Sequence, residues 1–497
     1  MTAQNSPAAT DHVLATLVFP ARYEGLVEAL GSQLASVLVQ PERETHDRLE
    51  DAAVGLRARG EGMFFPIHAA SGTGKTTLAN NLNNFLPGTF TPTVVYDAPV
   101  TPESLRSAVE SHLENFPRGE DKIVPISIDD REGNPPSAGE LANIKRFLRM
   151  PKTGARSMVI WPDTSESLSI EMAKAYTKIA GRSPVDIPFQ IGGPPREAWV
   201  DIAKTTLRLA NGIESLEMLG VDPKDYDPEG YESIGDFLRA IADDFIALKL
   251  RLLRETRKNL RLAVVFVSES SDAGVLTHLT SSNRFGLLDG DALLAASPDS
   301  EVGRWWSARR GLLTQTIVRL DARAFGLPPS ASVGIIRRYG PESVKQYLSG
   351  LGVRSPGAGT ISLNIERSDL GKFMLGKSRA THETKGTPTT TSLAAFQYLA
   401  ENGFTSGRDK ALNVALAEAL EVFCDKKEIS GEVGSERKLE PYPLIPDNVI
   451  VSNDEALCLE YTWRSSNFLT ASHRGEIAKY CLTKLRNYAR ELEWTLD

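Results

Sequence analysis

The chain has 497 residues, 41% hydrophobic and 24% charged, with a formal net charge of −8. That length predicts two or three domains with real apolar cores; the acidic balance excludes a uniformly basic nucleic-acid coat, and no apolar run nears the ~20 residues of a membrane span. Cys424, Cys458 and Cys481 sit at unrelated spacings, which frame neither a disulfide set nor a zinc site and read as buried thiols of a cytoplasmic protein.

Residues 1–11 are small and polar, without the apolar core of a signal peptide, and read as a loose tail. Residues 63–78, MFFPIHAASGTGKTTL, read as a buried strand, a glycine-rich loop and a helix start. The loop fits the P-loop pattern [AG]-x4-G-K-[ST] from Ala69 to Thr76. Gly72 and Gly74 permit the tight turn that points successive N–H groups at a phosphate chain. Ser71, Gly72, Thr73, Gly74, Lys75, Thr76 and Thr77 are therefore the expected contacts of a nucleoside triphosphate, taken as ATP. Lys75 would reach the β- and γ-phosphates, and the Thr76 hydroxyl would hold Mg²⁺.

Downstream, strands and helices alternate. Strands are expected at 91–97, at 122–130 ending in Asp129-Asp130, at 156–164 ending in Asp163-Thr164, and at 186–191. With the strand before the loop they predict a parallel α/β sheet. Ligands of such sheets gather at the C-terminal strand ends, which puts Asp129, Asp130, Asp163 and Thr164 on the rim that carries Lys75. Pro66 and Pro125 fall inside these strands, where a missing N–H should cost a ladder bond. Phe237, Ile241, Phe245, Leu248 and Leu252 repeat at helical spacing over 231–260.

On these motifs, residues 20–260 resemble the AAA+ and STAND branch of P-loop ATPases. The resemblance implies that Asp129 orders Mg²⁺ through its water shell. Asp130 stands where that family usually carries a Glu that polarises the attacking water; it is one methylene shorter, and Glu132 is the substitute. Asp163 or Thr164 would be the polar sensor of the fourth strand, and 194–212 the start of a helical lid. A competing strand for the Asp129 role is 260–270, ending in Ser268 and Glu269. Such enzymes often build the site between subunits of a homo-oligomer. Arg284, Arg304, Arg309, Arg310, Arg337 and Arg338 are the candidate fingers, each read first as a surface or salt-bridge arginine.

The expected layout is a P-loop core over 12–195, a lid over 196–260, a mostly helical region over 261–375 and a linker with a helix over 376–404. Trp305 and Trp306 read as core or interface aromatics. A smaller C-terminal α/β domain over 405–497 completes the chain. There, 411–423 and 472–494 are helices, and VIVS and ALCLEYTW form a hairpin across SNDE. Period-2 alternation puts Leu457, Leu459, Tyr461 and Trp463 on one face, and Glu460 and Thr462 on the other. Asp447 can approach Glu460, and two such carboxylates can hold Mg²⁺.

This arrangement resembles the PD-(D/E)xK nuclease superfamily, the restriction-endonuclease-like fold, with Pro446-Asp447 as the PD element and Glu460-Tyr461-Thr462 as (D/E)-x-K. Thr462 occupies the lysine position, so Lys479, or next Lys484, would reach in from the following helix. Glu418 is a further contributor. Together the resemblances imply an ATP-hydrolysing P-loop protein joined to a metal-dependent DNA nuclease, as in bacterial restriction and antiphage defence. The alternative is a nucleotide-gated assembly or signalling ATPase whose C-terminal domain binds DNA or a partner protein without cutting.

Overall fold

The strands around the glycine-rich loop form one parallel sheet. β1 (Met63–His68), β2 (Val94–Val95), β3 (Val124–Ser127), β4 (Ser157–Asp163) and β5 (Phe189–Gln190) are ordered β2-β3-β4-β1-β5. Every neighbouring pair is parallel. The computed structural model describes residues 11–116, 121–129, 131, 133–255, 259–269, 274–377, 389–403, 409–453, 455–465 and 468–495. They divide into two units. The parallel sheet belongs to the unit of Phe19–Ala210 and Asp222–Phe245.

Alternation along its central strands builds a core on each face of the sheet. Phe65, Ile67, Met158 and Ile160 pack on one side with Leu49, Leu56 and Leu78. Phe64, Val159, Trp161, Val124 and Ile126 pack on the other with Leu105, Ile144 and Met172. Helices cover both faces, which is why these strands are apolar throughout.

The two strand prolines cost little. In β1, Ala69 N–H donates to Asp163 O (3.4 Å) and His68 O accepts from Ile191 N–H (3.2 Å). Odd positions thus address β4 and even positions β5. Pro66 turns its missing N–H toward β5, whose pairing begins only at Ile67. In β3, Ile128 N–H addresses β4, and Ser127 O accepts from Tyr96 N–H on the β2 side. Pro125 therefore faces β2, in the gap between the Phe90–Ile123 bridge and the pairing that starts at Ile126.

The second unit holds the described residues up to Val18, Asn211–Val221 and those from Ile246 onward. Its sheet is mixed: β6 (Asn259–Ser268), β7 (Arg323–Leu327), β8 (Glu432–Ser435), β9 (Asn448–Val451) and β10 (Glu455–Arg464), ordered β7-β6-β10-β9-β8. β6 runs parallel to β10 from Asn259↔Glu455 to Ser268↔Arg464. This corrects the competing assignment of 260–270: that strand lies beside the C-terminal hairpin, and Ser268 ends a strand of the other sheet with Glu269 just beyond it. The region 261–375 supplies β7 and most of β6, so the C-terminal unit is larger than 405–497. The β9–β10 hairpin is antiparallel, and Leu457, Leu459, Tyr461 and Trp463 share one core. No helix among the described residues is long and apolar enough to cross a membrane.

Candidate functional site

In the parallel-sheet unit, β1 ends at His68 and the loop turns through Gly72 (φ +79°) and Gly74 (φ +102°), conformations that side chains resist. Helix Lys75–Asn80 then starts without a side-chain cap, leaving its first N–H groups to a ligand. Lys75 is buried, and its Nζ donates to Ala69 O (3.0 Å) and Ala70 O (3.4 Å). The ammonium is thus held over the loop by carbonyls that a phosphate oxygen can replace.

The loop opens on a cavity of about 600 Å³, lined by Ser71, Gly72, Thr73, Gly74, Lys75, Thr76 and Thr77. This volume suits a drug-sized ligand. Asp129, just beyond β3, lines the same cavity. Thr76 and Asp129 thus supply the hydroxyl and carboxylate that an Mg²⁺–phosphate pair takes. One wall is apolar, with Leu26, Val37, Leu38 and Ile191. Gly193 passes close to the loop: a Cβ there would meet Thr73 O at 2.8 Å.

Asp130 and Glu132 lie outside the described residues. Asp163 is brought to the same end of the sheet but is otherwise engaged. Fully buried, it accepts from Gly133 N–H (3.1 Å) and Ser165 N–H (2.7 Å). It pins the segment after β3 and does not line the cavity; nor does the partly exposed Thr164. Two features are invisible in the motif. Arg239, which lines the cavity, sits 3.0 Å from Asp236 in helix Ile234–Glu255. Gly235 N–H donates to Gly72 O (2.9 Å), joining that helix start to the loop.

In the mixed-sheet unit, the β9–β10 pairing brings Asp447 and Glu460 together. Asp447 accepts from Tyr461 N–H at 2.7 Å. Glu460, on the face opposite the core residues, accepts from Tyr488 OH at 2.7 Å and from Lys484 Nζ. Lys484, not Lys479, is the lysine of this centre; Lys479 stands exposed on the outer face of helix Arg474–Glu491. Thr462 instead accepts from Arg464 Nε (3.0 Å), and Glu418 is exposed on helix Asp409–Lys427.

Burial, and then the negative charge of Glu460, push the Asp447 carboxyl up to about 7. Burial lowers the Lys484 ammonium, but Glu460, Tyr480 and Asp447 together outweigh it and hold the ammonium above its ordinary range. Glu436 is the acid that sequence reasoning missed. It adds to the negative field at Asp447 and accepts from Asn413 Nδ2 (3.1 Å). The donor set suits a hard cation, since each Glu460 oxygen keeps a second lone pair. Among the described residues, the one group of three close metal-ligand atoms is the surface trio His46, Asp47 and Glu50. The Asp447 centre therefore offers two carboxylates, not a closed cage.

The finger candidates make local contacts. Arg284 reaches Thr16 Oγ1 (2.8 Å), Arg337 reaches Val353 O (2.9 Å) and Arg338 reaches Pro356 O (3.2 Å). Arg310 sits 3.3 Å from Asp291, and Arg304 donates to Asp299 O (2.6 Å). Arg309 lies beside Trp305. No protein-family model matches the chain, and no curated protein matches it.

Proposed function

We propose that this chain binds and hydrolyses ATP at the glycine-rich loop, and that its mixed-sheet unit acts on nucleic acid at the Asp447–Glu460 centre. The observation that carries the first half is the meeting of Lys75, Thr76 and Asp129 on one cavity. Lys75 would bind the β- and γ-phosphates, while Thr76 and Asp129 would hold Mg²⁺, which neutralises phosphate charge when bound. Asp447 and Glu460 would hold the second cation, a Lewis acid for phosphodiester hydrolysis, with Lys484 beside it. The AAA+/STAND and PD-(D/E)xK resemblances give this reading its setting in restriction or antiphage defence.

A second reading has its own observation. Both Glu460 oxygens already accept hydrogen bonds, and Thr462 stands in the lysine position. A protein that gates assembly or signalling by nucleotide, and binds DNA or a partner without cutting, accommodates both facts.

The deciding experiment measures Mg²⁺-dependent ATP binding, ATP hydrolysis and DNA cleavage in wild type, Lys75→Ala and Glu460→Ala. Lys75→Ala is expected to weaken ATP binding at least about tenfold, roughly one charge-assisted contact. Glu460→Ala is expected to abolish cutting and leave ATP binding intact. Hydrolysis without cutting in wild type selects the gating reading. Equal ATP affinity in wild type and Lys75→Ala rejects both.

A further inference from the structure

Helix Arg474–Glu491 carries Arg474, Lys479, Lys484, Arg486 and Arg490 against Glu476 and Glu491, five cations to two carboxylates, in a chain whose net charge is −8. Its inward face is apolar, with Ile477, Cys481, Leu485 and Tyr488 buried. Lys479 and Arg490 stand exposed on the opposite side, eleven residues and so about 16 Å apart along the axis. Lys484, bonded to Glu460, branches from the flank of the same helix between them.

Beside Arg490 sits an aromatic surface held rigidly from behind. Trp306 is fully buried and donates from Nε1 to Leu482 O at 2.9 Å. This fixes helix Glu301–Ser307 against the basic helix. Trp305, next in sequence, is partly exposed and meets Trp306 edge-on at 4.6 Å. The Arg309 guanidinium lies 4.7 Å from the Trp305 ring centre and that of Arg490 5.6 Å. Both arginines are exposed, and among the described residues neither has a carboxylate in ion-pair distance. Arg486, by contrast, is spent on Glu301 at 3.1 Å.

From this juxtaposition we propose that the Trp305–Arg309–Arg490 surface, continued by Lys479, is a docking track for a single nucleic-acid strand, carried on the helix whose Lys484 completes the Asp447–Glu460 centre. The inference rests on the nucleic-acid reading of that centre for its choice of ligand. An indole between exposed guanidinium groups offers a base a stacking face while the arginines take phosphates. Paired bases are already stacked, so one line of cations with one aromatic fits a single strand better than a duplex.

The test is fluorescence anisotropy of a labelled single-stranded DNA, its RNA equivalent and the matched duplex, with the full chain and Mg²⁺. Trp305→Ala is expected to weaken strand binding at least about fivefold, and Trp305→Phe to restore most of it. Arg309→Glu and Arg490→Glu are each expected to weaken it about tenfold and to flatten the salt dependence. Circular dichroism confirms that each variant folds. Wild type that does not bind a strand, binds the duplex as well, or is displaced equally by polyglutamate overturns the proposal. So do variants that bind as wild type does. Binding that depends on Trp305 without any cutting rejects only the nuclease reading. Cutting that survives all three substitutions with unchanged affinity rejects only the docking track.

Discussion

Asp447 carries an electrostatic cost that one measurement can expose. In the fold its carboxyl is pushed from the ordinary 3.8 to about 7 by burial and by Glu460. The folded state therefore holds this proton more tightly than the unfolded chain. The stability that the proton brings is complete below about pH 4 and is lost as pH rises through about 7. Asp447→Asn is expected to leave thermal stability unchanged near pH 4. Near pH 8 it is expected to gain about 1–2 kcal/mol, after allowing for solvent screening. Mg²⁺ is expected to stabilise the wild type near pH 8 and to leave the Asn variant untouched. Thermal melts across pH, with and without Mg²⁺, check both statements; equal gains at both pH values would reject them. The pairing of Asp447 with Glu460 was legible because a hairpin fixes which residues face each other. The lysine was legible in principle. With Ile477, Cys481, Leu485 and Tyr488 inward, Lys484 borders the buried stripe and Lys479 opposes it. Arg239 was not, since nothing in the loop motif says which side chain of a later helix arrives above it.

Among the elements, the contact between the glycine-rich loop and helix Ile234–Glu255 is the tightest consequence of two glycines. A Cβ on Gly235 would lie 2.6 Å from Gly72 Cα and 3.0 Å from Gly72 O. Both are backbone atoms that cannot turn aside. Gly235→Ala is expected to lift the helix start, break the Gly235 N–H bond to Gly72 O, and cost about 1–3 kcal/mol. ATP affinity is expected to fall about tenfold, equivalent to about 1.4 kcal/mol, because the loop loses its support. Gly139→Ala is the control. Its Cβ meets only Ser137 Oγ at 3.9 Å within helix Ala138–Leu148, so it is expected to be neutral or mildly stabilising. Calorimetry and nucleotide titration of the pair measure the difference. The strands of this sheet were legible from their apolar runs. The glycine contact was not, because Gly235 looks unremarkable until Gly72 is placed against it.

For the whole molecule, the mixed sheet is the part that local sequence hides. β6 and β10 are adjacent strands drawn from distant parts of the chain, and each is apolar enough to serve as the centre of either sheet. What distinguishes β6 is a charge at its start. Arg261 is 2% exposed; it meets Asp321 at 2.9 Å and Glu455 at 2.8 Å. Asp321 also holds Arg323 at 2.8 Å. Arg261, Arg323 and Glu455 stand at or near the starts of β6, β7 and β10, so the network ties three parallel strands at one end. Such a group is costly to bury and far costlier to leave half-made. Asp321→Ala would leave buried Arg323 without its carboxylate and Arg261 with Glu455 alone of its two carboxylates, and is expected to destabilise this unit by about 3–5 kcal/mol. Arg261→Met with Glu455→Leu, which removes a buried pair and adds apolar bulk, is expected to cost less than Arg261→Met alone. Hydrogen exchange locates the effect. Asp321→Ala should speed exchange of the β6, β7 and β10 amides, and ATP with Mg²⁺ should slow exchange of residues 69–77. Unchanged protection of β6 in Asp321→Ala would mean that apolar packing alone registers these strands. In that case the ion network adds neither stability nor alignment.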